Sequence, residues 1–146
     1  MNYGRVALAA VSATVVDSVF GYLVYGVLLA NGFARYPGVY RTADAGAAYL
    51  PGMFAGLFVG LLAAAYIYAK GYEGGSGVAE GMRFGLLVGV FVVTAFVGVN
   101  YATLNIGVGL GAQMGVAALI EWTLLGTVIG LVYKPSSAPA RRPAGV

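Results

Sequence analysis

Residues 111–134 read GAQMGVAALIEWTLLGTVIGLVYK and place a carboxylate, Glu121, in the middle of an apolar run. The run is long enough to cross a membrane, because about 20 helical residues span a hydrocarbon core about 30 Å thick. A charge at that depth costs roughly 2.5–3.5 kcal/mol on insertion scales. Glu121 must therefore be protonated, paired or compensated in some other way.

The composition of the whole chain is typical of a membrane protein. Of its 146 residues, 60% are apolar and only 9% are charged, and the mean hydropathy is +0.87. Soluble domains carry about 25% charged residues. The formal charge of +3 is small and dispersed along the sequence. We therefore expect a lipid bilayer as the main partner and no nucleic acid.

The residue types present also restrict the chemistry. The chain has no Cys and no His, which excludes disulfides, Cys or His metal sites and the Ser-His-Asp or Cys-His catalytic arrangements. It contains no G-x-S-x-G motif and no phosphate-binding loop followed by Lys. We expect a protein that is not an enzyme and that binds neither a metal nor a cofactor.

Three further apolar runs predict an all-α bundle of four transmembrane helices. The predicted spans cover residues 6–30, 51–69, 82–106 and 112–132, within one domain of residues 1–133. A long connection between the first two spans is rich in aromatic residues, which favour the headgroup level of a membrane. Residues 134–146, KPSSAPARRPAGV, predict a disordered tail on the cytoplasmic side.

The basic residues predict the orientation of the spans. Four spans place both termini and the linker at residues 71–80 on one side. That side carries six basic residues: Arg5, Lys70, Arg83, Lys134, Arg141 and Arg142. The other side carries only Arg35 and Arg41. Because basic residues favour the cytoplasm, we expect an inner-membrane protein with both termini cytoplasmic.

Glycine recurs at every fourth position in three triplets. These are Gly52, Gly56 and Gly60; Gly81, Gly85 and Gly89; and Gly107, Gly111 and Gly115. Residues four apart share one face of a helix, and glycines there let two helix backbones approach closely in lipid. The strips predict either packing within one bundle or a contact between copies of the chain. Asn100 falls on the face of the second triplet and should point into a packed interface.

Two carboxylates and a hydroxyl fall at similar depths in the predicted membrane. Asp17 follows Arg5 by 12 residues, and Glu121 precedes Lys134 by 13. At about 1.5 Å per helical residue, both lie about 18–20 Å from the same edge. Thr94 reaches a similar depth, and no Lys or Arg lies there to pair with these groups. The sequence therefore predicts a polar layer near the midplane.

Three interpretations of the polar residues remain open. In the first, a protonated Asp17 or Glu121 hydrogen-bonds Thr94, Asn100, Tyr25 or a backbone carbonyl, which contributes about 0.6–2 kcal/mol. In the second, the two acids form a proton or cation site. In the third, an apolar ligand or quinone binds beside them. The candidate site residues are Asp17, Glu121, Thr94 and Asn100.

Four short spans, Asp17 in the first of them, and the segments YIYAKGYEGGSG and EW…GLVYK resemble small uncharacterised bacterial four-span membrane proteins. This resemblance implies no activity. The architecture is also similar to small multidrug transporters, which carry one embedded carboxylate in the first helix and work as dimers. That resemblance implies the carboxylate role for Asp17. The chain departs from the family in its second acid, Glu121, its longer outer loop and the residues around Asp17.

Two functional hypotheses follow from these patterns. The first is a non-enzymatic integral membrane protein, packed through its glycine faces and either homo-oligomeric or a small subunit of a membrane assembly. The alternative is a proton-coupled transporter or ion pathway that uses Asp17 and Glu121. If the helices bring the two acids within about 4–6 Å of each other, the alternative is the better hypothesis.

Overall fold

The chain folds into an all-α bundle, as predicted. The computed structural model describes residues 1–133, and this part of the chain contains no β-strand. Four of its helices are long and apolar enough to cross a membrane: span 1, Tyr3–Leu28; span 2, Leu50–Gly71; span 3, Gly77–Thr103; and span 4, Val108–Tyr133. The protein is therefore a multi-pass integral membrane protein. The predicted tail, residues 134–146, lies outside the described residues.

Spans 1 and 3 change from α-helix to π-helix partway along, whereas spans 2 and 4 are α-helical throughout. The segments are α Tyr3–Gly21 and π Tyr22–Leu28 in span 1, and α Gly77–Val92, π Val93–Gly98 and α Val99–Thr103 in span 3. A π-helical turn closes over one more residue than an α-helical turn. Side chains beyond each π segment therefore face a different direction from the one that α-helical spacing predicts.

Local sequence signals mark the starts of the long helices. The Asn2 side chain accepts a hydrogen bond from the Arg5 amide at 3.1 Å, which caps span 1. Pro51 lies in the first turn of span 2, where its missing N–H would be unpaired in any residue. In the first turn of span 3, Glu80 accepts a hydrogen bond from the Gly75 amide at 2.5 Å. This bond ties the linker between spans 2 and 3 to the helix that follows.

Spans 3 and 4 are packed backbone to backbone through glycine. Gly81 lies against the backbone of Gly126 and Gly130. A Cβ atom at Gly85 would lie 2.9 Å from the Cα atom of Thr123 and 3.0 Å from that of Gly126. Such distances leave no room for any side chain. The second glycine triplet therefore faces span 4, as packing within one bundle requires.

Span 1 lies between spans 2 and 4 and contacts both. Its contact face consists of small residues, and Ala9, Ala10 and Ala13 are fully buried. Leu125 and Ile129 of span 4 pack into the same core, together with Leu61 and Ala65 of span 2. This core lies toward the ends of the spans at Tyr3, Gly71 and Tyr133, which we call the termini side. The opposite ends form the loop side.

The glycine strip of span 2 does not pack within the bundle, so that interpretation is wrong for Gly52, Gly56 and Gly60. A Cβ atom at any of the three would meet nothing within 4 Å. The reason is that span 2 buries only residues of its second half: Leu61, Ala64, Ala65 and Tyr68. The first half of span 2 therefore presents its glycines on the outer surface of the bundle.

The third triplet divides between a loop contact and helix packing. Gly107 precedes span 4, and its amide donates a hydrogen bond to the Tyr36 hydroxyl at 2.9 Å. Gly111 and Gly115 are buried. A Cβ atom at Gly111 would lie 3.2 Å from the Tyr101 ring. Gly107 therefore holds the loop, whereas the other two glycines receive side chains of span 3.

The long connection between spans 1 and 2 folds over the loop-side end of span 4. Besides the bond of Tyr36 to Gly107, the Tyr40 hydroxyl donates to the Met114 sulfur at 3.7 Å. The rings of Phe33 and Tyr40 pack edge to face, with centroids 4.8 Å apart. Burial, and then the neighbouring Tyr36, raise the pKa of Tyr40. Aromatic side chains thus hold this loop against span 4, and its position at the headgroup level stays a prediction.

Replacing Gly85 with Ala should lower the free energy of unfolding by about 1–3 kcal/mol, the usual cost of overpacking. The new methyl group would overlap the backbone of Trp122 and Thr123, which cannot rotate away as a side chain would. Unfolding in detergent micelles measures the change. Gly109→Ala is the matched control, because a Cβ atom there meets nothing within 4 Å. Equal stability of the two variants would contradict glycine-dependent packing of spans 3 and 4.

Candidate functional site

Within residues 1–133, Asp17 is the one charged side chain that is buried, with 8% of its surface exposed. The neighbouring hydroxyl groups of span 1 donate their hydrogen bonds to backbone carbonyls and not to Asp17. Thr14 donates to the Ala10 carbonyl at 2.8 Å, and Ser18 donates to the Thr14 carbonyl at 2.7 Å. Both hydroxyls are satisfied within span 1. Asp17 therefore takes its partner from another helix.

That partner is Glu121 of span 4. The carboxyl groups of Asp17 and Glu121 are in hydrogen-bonding contact. Ionised carboxylates only accept hydrogen bonds, so two carboxyl groups can bond to each other only when one of them carries a proton. Two adjacent negative charges would also repel each other strongly in a medium of low dielectric constant. Such a contact is favourable only when one of the two groups is protonated.

Tyr25 is the third member of the cluster. Its hydroxyl donates to Oε2 of Glu121 at 2.9 Å. On a regular α-helix Tyr25 would lie about 80° around from Asp17. The π-helical turn at Tyr22–Leu28 winds less per residue and brings Tyr25 back toward that face. Helical side chains also point toward the helix N-terminus, which directs the phenol to the level of Glu121.

Sequence reasoning named Tyr25 only as one of several possible hydrogen-bond partners. The feature that selects it is the π-helical turn, for which the sequence offered no signal that we could interpret. The Phe20 ring also helps to hold Tyr25 in place, because the two rings meet edge to face with centroids 6.2 Å apart.

Thr94 lies apart from the cluster, although its depth was predicted to match. The residue is exposed, and its hydroxyl donates to the carbonyls of Val90 and Phe91 at 2.9 and 3.2 Å. Span 3 packs on the face of span 4 that carries Gly126. That face is about 140° around the helix from Glu121. The sequence therefore predicted how deep Thr94 lies in the membrane but not which face of span 4 its helix would contact.

Asn100 is exposed, and the expectation that it points into the glycine interface is wrong. The π-helical segment Val93–Gly98 adds a residue between the glycine strip and Asn100. The packed face therefore continues one residue later, at Tyr101, whose ring contacts Gly111. The structure brings Asp17, Glu121 and Tyr25 together and leaves Thr94 and Asn100 outside.

The donor set of the cluster is suited to proton exchange. It offers two carboxyl groups and a phenol, with no nitrogen or sulfur atom. Within residues 1–133, no group of three or more Asp, Glu, His or Cys side chains could hold a metal ion. Two acids in contact titrate as a unit, taking up and releasing protons in coupled steps.

Two apolar grooves border span 4 near this cluster. The larger, with a volume of about 850 Å³, lies between spans 1 and 4, and Phe20 and Ile120 line its inner end. The smaller, of about 480 Å³, lies between spans 3 and 4 and includes Thr94 in its wall. Because Phe20 contacts Tyr25, the larger groove ends against the cluster.

Comparison of the chain with protein-family models, curated proteins and solved structures finds no match. The function must therefore be argued from the chemistry of the site. The resemblance to small multidrug transporters stays a prediction.

A double-mutant cycle of Tyr25→Phe and Glu121→Leu, in which each change removes one partner of the bond, should give a coupling energy of about 0.6–1.7 kcal/mol, the range of interhelical hydrogen bonds in membranes. Unfolding of the single and double variants in detergent measures it. The control cycle uses Tyr22→Phe, because Tyr22 is 69% exposed and lies in the same π segment. A coupling energy near zero for the Tyr25 cycle would show that the bond adds nothing to folding.

Proposed function

We propose that the protein is a proton-coupled transporter or proton pathway in which Asp17 and Glu121 bind and release the moving proton. The observation that carries this proposal is the hydrogen-bonding contact between their carboxyl groups. Both acids lie within helices of membrane-spanning length. Ionisable groups inside membranes commonly form proton relays, and a pair that shares a proton can gain or lose one without leaving an isolated charge.

Magnitudes favour a functional role over a structural one. An interhelical hydrogen bond in a membrane contributes about 0.6–1.7 kcal/mol. Placing a carboxylate at the centre of a span costs roughly 2.5–3.5 kcal/mol. A bundle selected only for stability would do better with apolar residues at these two positions. Two acids in contact at these positions are therefore better explained by proton transfer than by a contribution to stability.

Tyr25 supports the exchange as a positioning residue. A carboxyl group keeps an acceptor oxygen whether or not it is protonated, so the Tyr25 hydroxyl can stay bonded to Glu121 through the whole cycle. The bond holds Glu121 toward Asp17 while the proton moves. Tyr25 also lies on the loop side of the pair, where it limits access from that side of the membrane.

The proposed setting is the inner membrane, with both termini in the cytoplasm. Of the described basic residues, the termini side carries Arg5, Lys70 and Arg83, and the loop side carries Arg35 and Arg41. This distribution supports a cytoplasmic termini side. The groove between spans 1 and 4 would then face the outside of the cell.

In liposomes with an entrapped pH indicator, the wild-type protein should conduct protons when a potential is applied. Asp17→Asn and Glu121→Gln should each abolish this flux, because an amide cannot release the proton that the pair must pass on. Asp44→Asn is the control, since Asp44 is an exposed carboxylate of the connecting loop.

Melting temperatures of the same preparations show whether each variant remains folded. Flux that persists in folded Asp17→Asn and Glu121→Gln variants would refute the proton role. Loss of flux in Asp44→Asn as well would show that the assay reports something other than the acid pair.

A second proposal concerns association, and the glycine strip of span 2 supports it. Glycine within a helix costs about 0.5–1 kcal/mol relative to Ala. No other helix of the described chain packs against the glycines of this strip, Gly52, Gly56 and Gly60, to offset that cost. We propose that this strip contacts a second copy of the protein or another membrane subunit, in the manner of small-residue helix dimers.

Gly56→Leu should therefore shift purified protein toward the monomer, because the larger side chain prevents close approach of two helices. Native mass spectrometry from nanodiscs measures the distribution of oligomers. Ala55→Leu is the matched control, since Ala55 is exposed on the adjacent face of the same turn. An unchanged distribution in Gly56→Leu, or a wild-type protein that is monomeric throughout, would count against the contact.

A further inference from the structure

The groove between spans 1 and 4 has two chemically different ends. Its volume of about 850 Å³ falls within the range of small-molecule sites. Asn31, Arg35 and Gln113 lie at its loop-side mouth, and its deeper lining is apolar down to Phe20 and Ile120. From Ala112 to Ile120 the helix rises about 12 Å. The groove therefore suits a molecule with a polar head and an extended apolar tail.

Arg35 determines the charge of the head that would fit. Its side chain is exposed, and within residues 1–133 it forms no ion pair. The other basic residue of the loop, Arg41, instead stacks on the Tyr49 ring at 4.0 Å. A guanidinium group binds a carboxylate through two parallel hydrogen bonds. The amides of Asn31 and Gln113 add donors at the same mouth.

We propose that this groove binds a single-chain amphipathic carboxylate, with its carboxylate on Arg35 and its alkyl chain between spans 1 and 4. Charge complementarity at the mouth selects an anion, and the apolar lining selects an alkyl tail.

The acid pair gives a reason for a carboxylate rather than a phosphodiester. A carboxylate that accepts one proton becomes neutral, which removes most of the cost of crossing the hydrocarbon core. Phe20 lines the inner end of the groove and packs edge to face on the Tyr25 ring of the cluster. This role of the proton rests on the proposed function, whereas binding in the groove does not depend on it.

The test is equilibrium binding of radiolabelled dodecanoate to the protein in phosphatidylcholine nanodiscs, with empty nanodiscs as the partition control. Wild-type protein should bind dodecanoate saturably. Arg35→Gln should weaken binding about tenfold or more, as expected for loss of charge-assisted hydrogen bonds. Arg41→Gln, the matched control, should bind as the wild type does. Val24→Trp should also weaken binding, because Val24 lines the groove.

Competition identifies the occupant. Dodecyltrimethylammonium, a cation with the same alkyl chain, should not displace dodecanoate. Absence of saturable binding, equal affinity in the Arg35 and Arg41 variants, or equal competition by the cation would overturn the proposal. Stronger competition by phosphatidylglycerol than by unlabelled dodecanoate would also overturn it, because the occupant would then be a diacyl lipid.

The variant Asp17→Asn/Glu121→Gln separates the two proposals. It should still bind dodecanoate, although proton flux is lost. Dodecanoate binding without proton flux in the wild type would refute only the proton role. Flux without dodecanoate binding would refute only the inference about the groove.

Discussion

The contact between the carboxyl groups of Asp17 and Glu121 is the interaction on which the arrangement of spans 1 and 4 depends. Without Glu121, Asp17 would be a buried acid with no partner on another helix, which costs several kcal/mol when the acid is charged. The contact requires the two helices to approach closely, and the buried small residues of span 1, such as Ala10 and Ala13, allow that approach.

Span 4 can serve two neighbours because its two faces differ in chemistry. The glycine face at Gly126 receives span 3 backbone to backbone, and such contacts are rigid, because no side chain between the helices can rearrange. The face with Glu121, about 140° away, contacts span 1 through the Tyr25 hydrogen bond, and the apolar core at Leu125 and Ile129 packs against span 1 as well. The bundle thus combines a backbone contact between spans 3 and 4 with a contact to span 1 that includes polar side chains.

Hydropathy and helical rise predicted the spans and the common depth of Asp17 and Glu121, because a helix advances by nearly the same distance at every residue. Direction around the helix was harder to predict. Thr94, predicted at the same depth, belongs to a helix that packs against a different face of span 4, and Asn100 is rotated by a π-helical turn. Glycine spacing could not distinguish a face covered by a neighbour, as at Gly85, from an open face, as at Gly56.

The π-helical turn of span 1 links the acid pair to the groove. Val24 and Leu28 line the groove, and Tyr25 between them bonds Glu121. A molecule in the groove would therefore touch the segment that holds the acid pair in place. A π turn is only one residue from the α-helical form, and a return to that form would rotate Tyr25 away from Glu121. The lining of the groove and the hydrogen bond to Glu121 therefore belong to the same turn of helix.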